Sequence, residues 1–257
     1  MSIDFALEDG VAVLTINRPD RLNAMDTAHY RALSECWARV RDDAAVRVAV
    51  ITGQGEKSFS VGADLKSFVA NPAELSEFML TQKDQLLNRG LEVWKPVIAA
   101  VNGYCLGGGM TLLLATDIRY AAPHATFGLT EVKRGVFPAN GGTQRVVQQL
   151  PYPIAMELLL GGESIDAETA ARIGLINRVV PQDELLGTAL AMARKIASYG
   201  PLGVQAAKEL AVRSHDLDLA SGLRLEQAML RLLQTSEDVK EGVAAFAEKR
   251  TPQFKGR

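Results

Sequence analysis

An α/β core with parallel strand pairing, followed by an all-helical C-terminal stretch, is the fold class this sequence predicts. Three observations carry it. Short β-branched apolar runs alternate with helix-period segments as far as Val180. Glycine-marked turns follow two of those runs. From Asp183 onward the strand signals stop, and only helix-period segments succeed one another.

Val11-Ala12-Val13-Leu14-Thr15-Ile16 is a strand by composition, closed by the turn residues Asn17-Arg18-Pro19-Asp20. Between Thr27 and Arg41 the residues Leu33, Trp37 and Val40 fall on one helix face. Val46 to Thr52 gives a second strand, and Ala73 to Glu92 is helix-like. A third strand begins after Pro96, and Met110 to Ala115 continues as a helix. Asp117 to Ala122 follows as a strand. Asp166 is placed to cap a helix from Ala167 to Ile173, with Gly174 as its stop. Leu175 to Val180 is a short strand ended by Pro181. Leu185 to Ser198, Leu202 to Arg213, Asp218 to Leu233 and Val239 to Lys249 are helices by their periodicity. The chain thus divides into a core over residues 1–195 and a helical region over 196–257.

Composition narrows the function classes. Apolar residues make up 47% of the 257, ample for a sizeable core. A net charge of −2 offers no electrostatic footing for nucleic acid or an anionic membrane. The start, Met1-Ser2-Ile3-Asp4-Phe5, lacks the layout of a secretion signal. No apolar run reaches the about 18 residues of a membrane span, so a cytoplasmic location is expected. Cys36 and Cys105 are too few for a disulfide framework and lack metal-ligand spacing. His29, His124 and His215 match neither a metal site nor a triad, so no metal is expected. Gly53 to Ser58 faintly resembles a phosphate loop but lacks its Gly-Lys adjacency and spacer.

The chemistry lies in the two glycine turns. One sits in Lys57-Ser58-Phe59-Ser60-Val61-Gly62-Ala63-Asp64-Leu65, the other in the run from Pro96 to Gly107-Gly108-Gly109. Each follows a strand, and the second opens a helix whose first N–H groups have no internal partner. Two converging amides suit a carbonyl that gains negative charge during reaction. Three glycines cost a helix about 1 kcal/mol each relative to alanine, which favours a need for bare backbone beside a ligand over mere close packing. Glu131 stands in Phe127-Gly128-Leu129-Thr130-Glu131-Val132. A loop glutamate is usually just solvated. Here Phe127, Leu129, Val132, Val136 and Phe137 would bury its surroundings and raise its pKa into a useful acid/base range.

Together, Val101-Asn102-Gly103-Tyr104-Cys105-Leu106-Gly107-Gly108-Gly109, Phe59 to Leu65, Arg18 to Met25 and Glu131 to Arg145 resemble the enoyl-CoA hydratase/isomerase (crotonase) superfamily. The resemblance runs through the chain to Glu241-Gly242 and Phe246 to Arg250. It implies a ClpP/crotonase-like ββα spiral core with a C-terminal helical trimerisation region, forming a homotrimer or dimer of trimers. It further implies an acyl-CoA thioester substrate, with coenzyme A part of that substrate and no other cofactor. By the same resemblance the N–H groups of Ala63 and Gly108 are the oxyanion donors. Backbone groups of Val61 and Leu65 would meet adenine and pantetheine, Asp64 would fasten the loop, and Arg21 and Lys249 would approach the phosphates. Glu131 matches the second of two catalytic glutamates.

Three departures stand out. Thr111 occupies the position of the first glutamate, Ala139 replaces a glycine that helps position water, and Leu230 replaces an aromatic near the adenine. One carboxylate suffices to take a proton from C2 of a 3-enoyl thioester and return it at C4, the pattern of Δ3,Δ2-enoyl-CoA isomerases. Hydration of reduced or narrow scope stays open, with Thr111 and Asn140 orienting a water for Glu131. A rival from another class is a protein that binds acyl-CoA without turnover. The core fold also serves serine proteases, but no Ser-His-Asp arrangement matches theirs.

Overall fold

The computed structural model describes residues 2–64, 66–67 and 85–257. Its centre is a six-stranded sheet in the order β1-β2-β3-β5-β7-β10. β1 (Ile3–Glu8) pairs antiparallel with β2 (Val11–Ile16) across an Asp9-Gly10 turn. The parallel strands are β2, β3 (Val48–Gly53), β5 (Val97–Val101), β7 (Ile118–Ala121) and β10 (Arg178–Val179). β3 and β5 are buried throughout, as their unbroken apolar sequences require of strands covered on both faces.

A second, four-stranded sheet has the order β4-β6-β8-β9. β4 (Ser58–Ser60), β6 (Tyr104–Leu106) and β8 (Thr126–Gly128) run parallel, and β9 (Ser164–Asp166) closes it antiparallel. Each of β3, β5 and β7 is followed by a strand of this second sheet, so the chain passes from the large sheet into the small one three times. Asn102 secures the crossing from β5 to β6. Its Nδ2 donates to the carbonyls of Gly53 (2.8 Å), Gly55 (2.6 Å) and Ser58 (3.1 Å), and its Oδ1 accepts from Gly53 N–H at 3.2 Å.

Helix α1 (Thr27–Asp42) starts at Asp26, whose side chain accepts from His29 N–H, and buries Leu33, Trp37 and Val40. α2 (Gly108–Leu113) follows β6 directly. α3 (Gly142–Gln149), α4 (Tyr152–Met156) and α5 (Ala167–Arg172) lead on to β10. α6 (Gln182–Ala197) lays Leu185, Ala189, Ala193 and Ala197 on the large sheet. The three alanines, four apart, let the helix approach the strands closely. α7 (Pro201–Arg213) and α8 (Leu219–Leu233) bury no residue, and α9 (Glu237–Glu248) buries only Asp238 and Ala245. They are tied back to the core by Arg47, which donates to the Ala197 and Phe254 carbonyls, and by Lys208 paired with Asp117 at 2.7 Å.

The fold class stands as the sequence predicts. One prediction is corrected: residues 85–92 form a tight turn bridged between Leu86 and Arg89, not a helix, while 73–84 lie outside the described residues.

Candidate active site

The turn after β4 is set by Gly62, whose φ of +86° belongs to the left-handed region. A Cβ there would collide with the Gly108 nitrogen, so the two glycine turns touch. Met25 N–H donates to Gly62 O at 2.8 Å and Asp64 N–H to Met25 O at 2.9 Å, a parallel bridge centred on Ala63. That pattern turns the Ala63 N–H away from Met25, toward α2. Asp64 is held by Arg18, Nη1 to Oδ2 at 3.0 Å, and Arg18 also grips the Ala24 carbonyl. Its side chain fastens the loop.

The three glycines before α2 differ in purpose. Gly107 turns the chain at a φ of +52°, with its N–H on Gly128 O at 2.9 Å. Gly109 lies against the Ser60 carbonyl, leaving no room for a side chain. At Gly108 a Cβ would stand 3.5 Å from Ala63 N and 3.1 Å from both Gly62 Cα and the Tyr30 hydroxyl. A side chain at 108 would therefore fill the space between the two amides. Among the described residues neither the Ala63 nor the Gly108 N–H has a hydrogen-bond acceptor.

Glu131 opens the one-turn helix Glu131–Arg134 just past β8. Its Oε1 lies 3.5 Å from where a Cβ on Gly107 would stand, one residue from the Gly108 amide. Its Oε2 is buried and has no hydrogen-bond partner among the described residues. Burial pushes the carboxyl above its ordinary pKa, against smaller opposing contributions from its own backbone amide and Arg134. Phe127 and Leu129 supply the apolar wall, both fully buried. Val136 and Phe137 do not: they are 55% and 71% exposed, contrary to the sequence expectation.

Thr111 is 1% exposed and its hydroxyl is committed. It donates to Gly108 O at 3.0 Å and accepts from Asn88 Nδ2 at 3.3 Å. The Asn88 side chain is equally enclosed, and its Oδ1 has no partner among the described residues. Arg145 donates to the carbonyls of Asn88 (3.1 Å) and Asn140 (3.2 Å), joining the two loops that flank Thr111. Asn140 sits at a φ of +54° and Ala139 beside it is exposed.

The structure thus brings Ala63, Gly108 and Glu131 together, with Val61 beside them and Thr111 one turn into α2. Leu65 lies outside the described residues. Arg21 is exposed at the end of the Pro19–Arg21 turn, and Lys249 is exposed at the end of α9. Sequence reasoning missed Tyr30 and Asn88. Tyr30 was within reach, since it precedes Leu33 by three residues on the buried face of α1. Among the described residues no three His, Cys, Asp or Glu side chains are grouped to hold a metal, and no helix is long and apolar enough to cross a membrane.

Comparison with known proteins places this geometry. Residues 6–257 match the family described as enoyl-CoA hydratase/isomerase. The chain is 43% identical over 256 residues to (E)-benzylidenesuccinyl-CoA hydratase of Thauera aromatica, covering 100% of both. It is 40% identical to 2,3-dehydroadipyl-CoA hydratase of Escherichia coli, covering 96% of each chain. Among solved structures, the enoyl-CoA hydratase of Mycobacterium tuberculosis superposes with a TM-score of 0.92 at 36% identity, over 100% of this chain and 99% of that one. That of Bacillus anthracis gives a TM-score of 0.91 at 35% identity over the whole of both chains. Touching glycine turns, two amides without an acceptor among the described residues and a half-buried carboxylate beside them thus lie on a chain similar end to end to known hydratases, and the protein is an enzyme of the enoyl-CoA hydratase/isomerase family, with the crotonase fold.

Proposed function

We propose that this enzyme binds an acyl-CoA thioester with its carbonyl oxygen between the Ala63 and Gly108 amides, and that Glu131 moves a proton at the adjacent carbons. Taking a proton from C2 leaves an enolate whose charge resides largely on that oxygen. One preorganised donor of this kind contributes on the order of 3 kcal/mol to such a transition state, so a pair accounts for several factors of ten in rate. Holding the carboxylate over C2 contributes further by removing the entropy of encounter.

A single carboxylate supports a 1,3-proton shift. Glu131 takes the C2 proton of a 3-enoyl-CoA, the electrons delocalise as a dienolate, and the same carboxyl returns the proton at C4, giving the 2-enoyl-CoA. The observation that carries this reading is the Glu131 carboxylate, its Oε2 enclosed and without a partner among the described residues, with neutral Thr111 where a second acid would act. The substrate carries coenzyme A, and the reading invokes no further cofactor. Val61 and Leu65 are assigned to the adenine and pantetheine, Arg21 and Lys249 to the phosphates.

A second reading, hydration of a 2-enoyl-CoA, is favoured by the names of the relatives, which are hydratases of CoA thioesters. In it Glu131 takes a proton from water as the hydroxyl adds to C3 and gives that proton to C2. Assaying the purified enzyme with matched 3-enoyl- and 2-enoyl-CoA thioesters decides between them. Conversion of the 3-enoyl thioester at the higher kcat/KM supports isomerisation. Hydration as the faster reaction replaces it with the second reading, and binding without turnover of either removes both.

A further inference from the structure

We propose that the Tyr30 hydroxyl is a third hydrogen-bond donor to the thioester oxygen, beside the amides of Ala63 and Gly108. This rests on the acyl-CoA reading above and adds a substrate-touching side chain to it. Tyr30 lies in the first turn of α1, its own N–H bonded to Asp26 O at 3.0 Å. Its hydroxyl oxygen is 3.1 Å from the point where a Cβ on Gly108 would stand, and Ala63 N is 3.5 Å from that same point. The phenol therefore borders the same small space as the amide pair. Three donors facing one place suit an acceptor that gains negative charge.

The chemistry of the side chain fits that use. Burial pushes the phenol up to about 12, with the Glu131 carboxylate adding to the shift and the Arg89 guanidinium opposing it. At neutral pH the hydroxyl keeps its proton and acts as a donor, never as a competing anion.

The test uses cinnamoyl-CoA, whose conjugated thioester absorbs at longer wavelength as its carbonyl is polarised. The wild-type enzyme is expected to bind it with a red shift. Tyr30→Phe should bind within about threefold of wild type, show a smaller shift, and lose about ten- to hundredfold in kcat on its best enoyl-CoA substrate. Tyr30→His, which keeps a ring N–H donor, should recover part of both. A wild-type red shift and kcat in Tyr30→Phe would overturn the role of Tyr30 and leave the acyl-CoA reading standing. Failure of the wild type to bind any acyl-CoA would remove the reading itself, and the Tyr30 role with it. Should Tyr30→Phe lose the native circular dichroism, Tyr30→His against wild type makes the same comparison, and an unshifted spectrum there overturns the proposal.

Discussion

At the scale of single residues, the site is defined by groups whose bonding is incomplete. The Glu131 carboxylate is the clearest. Its pKa is raised from 4.5 by burial, so the folded protein holds that proton more tightly than the unfolded chain does. By linkage, stability then falls as pH rises from the unfolded value through the raised folded one, and the loss persists at neutral pH. Glu131→Gln should therefore unfold at a higher temperature than wild type at pH 7, with the gain vanishing below about pH 4. Calorimetry at the two pH values checks this; an unchanged or lowered midpoint at pH 7 contradicts a carboxylate kept under strain. The same shift moves the acid limb of the kcat/KM profile above the ordinary glutamate range, because the base must be ionised to act. Much of this was legible beforehand: Phe127 and Leu129 signal a buried setting, and the glycine turns mark the amides. Asn88 was not, because nothing local to it records that it meets Thr111; Tyr30 could have been found from its spacing to Leu33 on α1.

At the scale of elements, the two sheets decide where the amides go. β4 and β6 are three residues each, too short to display a period, and Ser58 and Ser60 dilute the apolar signal. The second sheet was therefore invisible in the sequence, although both of its glycine turns were read. β1 was missed for another reason: it is an edge strand whose acidic and half-exposed positions blur the pattern. Its Asp9-Gly10 turn, at φ of +49° and +78°, was the available hairpin signal. The crossing at Asn102 carries a prediction. This side chain is 3% exposed and makes four bonds to the backbone of the β3–β4 segment. Asn102→Ala removes the side-chain partner of the buried Gly53 N–H and carbonyl and should cost about 3 kcal/mol, read as a lower midpoint in urea. Activity should fall further than stability alone explains, because the Gly62 turn follows β4 directly. A midpoint within about 0.5 kcal/mol of wild type would refute the assigned role.

For the whole molecule, the core fills the α/β layers, and α8 and α9 carry exposed apolar side chains. Leu219, Leu232, Val243 and Phe246 are 78%, 73%, 66% and 88% exposed. Exposed apolar side chains on two successive helices suit burial against another chain. The alternating strand and helix periods made the core legible, and the helical region was equally plain. Its partner was not, since a single chain's periodicity identifies an apolar face without naming what covers it. We propose self-association of this chain into a trimer or a dimer of trimers. Light scattering coupled to gel filtration should give three or six times the mass of one chain, and Phe246→Asp should shift the population toward smaller species. A monomer at every concentration would contradict this.

We propose that Glu131 exchanges a proton at the carbon beside a thioester whose oxygen rests on the Ala63 and Gly108 amides. Incubation with 3-enoyl-CoA in deuterated water, followed by mass spectrometry, reads that exchange. The prediction is deuterium at C2 or C4 with the wild-type enzyme and a fall of at least about a hundredfold in its rate of incorporation with Glu131→Gln. Undiminished incorporation in Glu131→Gln, or none with wild type across a panel of acyl-CoA thioesters, would contradict it.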